Sequence, residues 1–310
     1  MREQLDIDPP TLGRRHRTAP ALSSVDPDGL GKVVHPGAET GENLRVDPGT
    51  LHCAARQYLM DRYDQLCRVY AKLPGRRGSD SYRPKALRIF PRYQVVQAML
   101  VEVERLDPDY LPDIERLAAA LDRAAYAAQS PFTDPPGGAV EAEVMADERG
   151  LFSAAVETWM SMPDLEVGQL GYRRVLTSQE SSDWRTRLHT RWGVQGTSWH
   201  PMLPGPIPPG VLVLTDTALR SRGAIARVRN ALQTMGAGRV VELREDGVDY
   251  LLDLDLFTPA YNGAEGVWSD DSVDWVLFAS HEGTVAFGGL IATVLATVWQ
   301  NLDDWRWSGL

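Results

Sequence analysis

Lysine is nearly missing from this sequence. Its 310 residues include 32 basic side chains, and the only lysines are Lys32, Lys72 and Lys85. No lysine follows position 85 and no GxxxxGKS or GxxxxGKT run occurs, so a P-loop nucleotide site is excluded. A Schiff base or a lysine general base in the C-terminal half is excluded with it. Cysteine is scarce as well. Cys53 and Cys67 fall in one expected helix, where their separation amounts to about 21 Å of rise. A disulfide needs Cα atoms within about 7 Å, so no intrachain bridge is expected, which fits a reducing cytoplasm. Long apolar runs are missing. The stretch from Leu290 to Val298 falls well short of the roughly 20 residues of a membrane span. The opening MREQLDIDPPTLGRRHR has no apolar segment of a secretory leader. The sequence also lacks HExxH, CxxC, EF-hand spacing, a GxSxG elbow and a GxGxxG turn. The expectation is a cytoplasmic protein of bacterial type, with no membrane partner and no cofactor.

What is present reads as globular. Hydrophobic residues make up 43% and charged residues 24%, ordinary values for a folded chain, and the length suits about two domains. Residues 1–47 carry Pro9, Pro10, Pro20, Pro27 and Pro36 without an apolar period, which predicts an irregular arm. Residues 48–162 predict a helical domain. Leu51, Ala55, Tyr58, Leu59, Leu66, Tyr70 and Leu73 recur at helical spacing until Pro74-Gly75 stops them. Further helices are expected at about 94–106, 110–129 and 139–160.

Residues 163–310 predict an α+β domain with a mainly antiparallel sheet. Eight of the nine tryptophans lie here. Strands are expected at 211–215, 239–245, 250–257, 275–279 and 284–287, and helices at 181–192, 217–235 and 290–302. Asp246-Gly247 is a strong two-residue turn signal. Such a turn would pair Leu243 with Tyr250 and Val241 with Leu252, leaving Arg244 opposite Asp249 and Val240 opposite Asp253.

Charge is unevenly spread. Residues 171–239 hold ten arginines against three acids, and residues 240–310 hold thirteen acids against two arginines. Much of this should neutralise within one domain, but the acidic excess cannot all be paired. A strand read through 250–257 places Asp249, Asp253 and Asp255 on one side by its period of two. Asp270, Asp271 and Asp274 follow in the next loop. With Glu242 and His281 they form the candidate binding face, whose field would steer a basic protein partner. Nucleic acid is disfavoured, because the pI is near 5.1 and no continuous basic face appears. The same strand carboxylates could hold a divalent ion, which is the rival reading of a metal-dependent hydrolase. Ser280-His281-Glu282 is not a triad, since neighbours on an extended chain point in alternate directions. A turn with an exposed His281 is expected instead.

The run Asp274-Trp275-Val276-Leu277-Phe278-Ala279-Ser280-His281-Glu282-Gly283-Thr284-Val285-Ala286-Phe287-Gly288-Gly289 leads into an amphipathic helix, with Asn262 to Gly266 and Trp268 ahead of it. Over about the last 70 residues this resembles the strand–turn–strand–helix ending of small acidic bacterial immunity-type α+β proteins. The resemblance implies a binding protein that blocks a partner through its acidic face. The leading expectation is therefore non-enzymatic protein binding, immunity or defence-related. The alternatives are the metal-dependent hydrolase and a structural subunit that assembles through the helical half.

Overall fold

A computed structural model of the chain describes residues 46–74, 83–133 and 138–308. The expected arm, apart from its last two residues, lies outside these, as do the breaker residues from Gly75 and around Pro135.

The first part is helical. It consists of α1 (Pro48–Ala71), a single turn α2 (Pro84–Leu87), α3 (Phe90–Val103), α4 (Ile114–Ala127) and α5 (Ala139–Met160). Asp47 caps α1 by accepting from the Thr50 N–H at 2.9 Å, and Pro48 occupies the first turn, where its missing N–H costs nothing. The core is built from Leu51, Leu59, Met99, Leu117, Leu121 and Phe152, all fully buried.

His52 lies in this core at 1% exposure, with Nε2 3.4 Å from the Val103 carbonyl. Burial first, and then the charge of Arg56, depress its pKa from 6.5 to about 4. A depressed histidine contributes stability that is fully present above the unfolded value and is lost as pH falls toward the folded one. Stability should therefore drop by about 3 kcal/mol between pH 6.5 and 4 from this residue. Urea titrations across that range should show a shallower acid slope for His52→Leu than for the native chain. Identical slopes would contradict the assignment.

The second part is an α+β unit. Its elements are β1 (Arg173–Val175), α6 (Ser178–Trp192), β2 (Val211–Thr215), α7 (Arg222–Thr234), β3 (Arg239–Arg244), β4 (Tyr250–Asp253), β5 (Gly266–Ser269), β6 (Trp275–Ala279), β7 (Thr284–Gly289) and α8 (Leu290–Val298). The seven strands form one sheet in the order β1-β4-β3-β5-β6-β7-β2, antiparallel throughout. On one face Val228 and Leu232 of α7 and Ile291 and Leu295 of α8 meet Leu252, Trp268, Trp275 and Phe287. On the other, Trp184 and Leu188 of α6 and Trp199 meet Val241, Val267, Val276 and Phe278. The α+β class with an antiparallel sheet is therefore as expected.

Both edges of the sheet are covered, which removes templates for unwanted strand pairing. At β1, the Val175 N–H donates to the Glu104 carbonyl at 2.8 Å, and at β2 the Trp307 N–H donates to the Val213 carbonyl at 3.1 Å. The seam at β1 is charged and buried. The Glu104 carboxylate, 2% exposed, accepts from Arg56 Nη2 at 3.1 Å and faces Arg173 Nε at 3.3 Å. Arg56 also donates to the Gly171 carbonyl at 3.0 Å, tying the helical part to the segment that enters β1.

Three expectations need correction. The hairpin register is one residue from the expected one: Glu242 opposes Tyr250, Val241 opposes Leu251, Val240 opposes Leu252 and Arg239 opposes Asp253. The expected register assumed one apolar face, but helices cover both faces, so alternation does not fix the pairing. The connection is also wider than a two-residue turn, because the Asp249 side chain occupies the Arg244 N–H at 2.8 Å. The strand expected through Phe257 ends at Asp253 and continues as a 3-10 turn over Leu254–Leu256. Asp255 is thus outside the strand. The helices expected at 217–235 and 290–302 are shorter: the first begins at Arg222 after a 3-10 turn over Asp216–Leu219, and the second ends at Val298.

Candidate functional site

The sheet distributes the expected acidic residues rather than gathering them. Asp249 is buried and makes two contacts with Arg185, 2.5 Å to Nη1 and 3.1 Å to Nη2. Asp253 accepts from the Tyr172 N–H at 2.7 Å and pairs with Arg239 Nε at 3.3 Å. Asp255 is exposed on the 3-10 turn. Glu242 points into the α7–α8 side of the sheet, where burial raises its carboxyl pKa against the opposing pull of Arg173 and Arg244. Asp270 accepts from the Ser272 N–H at 3.0 Å, and Asp271 lies 3.7 Å from Arg187 Nη1. Asp274 is exposed at the start of β6.

Strand register separates Asp253, Asp270 and Asp274 from His281, while Asp249 lies at the His281 end, at the Arg244 N–H. Arg244 pairs with Gly266 and Gly266 with Ala279, so the β6–β7 turn lies at one end of the sheet. Arg239 and Asp253, Ser269 and Asp270, and Trp275 and Gly289 lie toward the other. The acidic residues expected on one face from 249 to 281 are divided between the two ends of the sheet.

The His281 end has a built geometry. His281 sits in the turn between β6 and β7, with Nδ1 2.7 Å from Glu265 Oε1 and Nε2 3.1 Å from Glu282 Oε1. The Glu265 side chain is 5% exposed, and its other oxygen accepts from Ser198 Oγ at 3.2 Å. The Glu245 N–H donates to the Glu265 carbonyl at 3.0 Å, and the Glu265 N–H donates back to Glu245 Oε2 at 3.3 Å. This exchange continues the β3–β5 ladder by one step and so places Glu245 beside Glu265. The Tyr261 ring lies 6.5 Å from the imidazole, edge to face. The hydrogen bond to Glu265 raises the His281 pKa, and the charges of Glu265, Glu282 and Glu245 add to it. The expected turn with an exposed His281 is what the chain forms, and Ser280 is turned inward onto Thr284 at 2.7 Å.

Glu245, Glu265 and Glu282 were not among the candidates from sequence. Their proximity depends on a register that crosses β3, β5 and β6, and no local spacing encodes it. Among the described residues no arginine pairs with any of the three.

A second feature is an open groove of about 690 Å³ between α6 and the β3–β4 connection. The Arg185–Asp249 pair forms its floor, and Ser181, Ser182, Thr186 and His189 line its α6 side. His189 Nδ1 lies 3.0 Å from the Val194 carbonyl. Among the described residues no group of three histidine, cysteine or acidic side chains could hold a metal ion, and no helix is long and apolar enough to cross a membrane. Comparison with protein-family models, curated proteins and solved structures finds no match to this chain.

Proposed function

We propose that this chain is a non-enzymatic protein-binding protein, with a basic partner docking on the acidic end of the sheet around His281. One observation supports the reading. Arginine answers the carboxylates of Asp249, Asp253 and Asp271, whereas Glu245, Glu265 and Glu282 surround a single histidine. Three carboxylates that share one imidazole and no arginine keep a net negative potential, which steers a cationic surface into register. Hydrogen bonds that continue the β3–β5 ladder hold Glu245 and Glu265 beside each other, which lowers the ordering cost of docking there. The immunity-type role implied by the resemblance of the C-terminal segment is the finer form of this reading, with the partner a protein whose action is blocked.

The test is charge neutralisation at each end of the sheet. Glu245 and Glu282 are exposed, so Glu245→Gln with Glu282→Gln should leave the thermal melt unchanged. Immobilised native chain should retain a basic protein from host extract at low salt and release it as salt screens the contact. The double variant should lose it. Asp253→Asn with Asp255→Asn, at the other end, should keep it. Equal retention by the native chain and the first double variant would refute the proposal.

A further inference from the structure

We infer that Asn262–Gly263 is a self-deamidation site, in which the Gly263 backbone nitrogen attacks the Asn262 side-chain carbonyl beneath Arg244. This is the one Asn–Gly step in the chain. Asn262 is exposed in the loop that leads into β5, and Gly263 has φ +100° and no Cβ to crowd the attack. Among the described residues no hydrogen bond holds the Gly263 N–H or the Asn262 amide nitrogen. The nucleophile and the leaving group are both free. Asn262 Oδ1 is not free, because Arg244 Nη2 donates to it at 2.9 Å.

That contact falls on the atom where charge develops. The Gly263 nitrogen gives its proton to solvent base and forms a bond to Asn262 Cγ. The carbonyl electron pair moves to Oδ1, where the guanidinium N–H stabilises it as an oxyanion-hole donor would. Collapse of the adduct breaks the Cγ–Nδ2 bond and releases ammonia, leaving a succinimide. Water then opens the ring at either carbonyl and gives aspartate or isoaspartate. One water is consumed, one ammonia is released, and nothing is oxidised or reduced.

The product is a carboxylate facing Arg244, next in sequence to Tyr261, whose ring packs on His281. Its effect on docking rests on the binding reading above; the chemistry does not. Asn230 and Asn301 are internal controls. The first lies within α7 before Ala231 and the second precedes Leu302, so each has a side chain on the following residue.

The experiment is timed incubation of the full chain in mildly alkaline buffer. Intact mass would follow exchange of an amide NH2 for OH, and peptide mapping would locate aspartate and isoaspartate. Position 262 should convert while Asn230 and Asn301 persist. Conversion should run several-fold faster in the folded chain than in the same chain unfolded by guanidinium, and Arg244→Gln should slow it. Loss of amide at position 262 no faster than at the controls overturns the inference, as does faster conversion in the unfolded chain. The folded-against-unfolded comparison uses the native sequence, so the inference stays testable even if Arg244→Gln does not fold.

Discussion

Glu104→Leu is expected to destabilise the fold by about 3–5 kcal/mol. The carboxylate sits at the seam between the helical part and β1, with Arg56 Nη2 at 3.1 Å and Arg173 Nε at 3.3 Å. Arg56 is 3% exposed, so removing its counter-charge strands a guanidinium in the protein interior. Surface ion pairs contribute at most about 1 kcal/mol; this one differs because neither charge can return to water without separating α1 from the segment before β1. The control is the triple variant Arg56→Met, Glu104→Leu, Arg173→Met. Replacing a whole buried ionic group by apolar side chains of similar volume is often neutral, so the triple variant should recover much of the loss. It should not recover all of it, since Arg56 also donates to the Gly171 carbonyl at 3.0 Å. Urea denaturation of the three chains decides the matter. A single variant within about 1 kcal/mol of the native chain would place Glu104 among ordinary surface pairs.

The helical part was legible because its apolar period is strong and its breakers are sharp. Five of the seven strands were legible for the same kind of reason, being apolar runs between turn residues. β1 and β5 were not. Arg173–Val175 is too short to carry a pattern, and Gly266–Ser269 begins with a residue that disfavours strands. Both are strands because β4 and β3 bring hydrogen-bond partners to them. Two-sided burial misled the hairpin register, since a sheet apolar on both faces has no alternation to read. The charge totals carried real information. The arginine-rich and acid-rich segments do neutralise each other at Arg185–Asp249, Arg239–Asp253 and Arg187–Asp271. What the totals could not say was which acids stay unmatched. That depends on which strand ends share an edge of the sheet, and of the three acids grouped by strand period, Asp249 and Asp253 pair with arginines.

Gly289→Ala is the other large effect, expected to cost about 4 kcal/mol from backbone strain and overpacking together. Gly289 joins β7 to α8 with φ +77° and ψ −147°, a conformation that β-carbon sterics deny to other residues. An added Cβ would lie 2.2 Å from the Asp274 carbonyl oxygen and 2.6 Å from the Trp192 ring. Neither neighbour can yield cheaply. The Asp274 carbonyl accepts from the Leu290 N–H at 3.2 Å at the start of α8, and Trp192 Nε1 donates to the Val273 carbonyl at 3.0 Å. Any shift would break the junction that sets α8 on the sheet. The same substitution at Gly150 should have the opposite sign. That residue lies within α5 with no atom inside 4 Å of an added Cβ, so alanine there should stabilise by about 0.5–1 kcal/mol through helix propensity. Thermal melts of the two variants against the native chain should therefore move in opposite directions. Parallel shifts would mean that the cost at Gly289 comes from something other than the contact with Asp274 and Trp192.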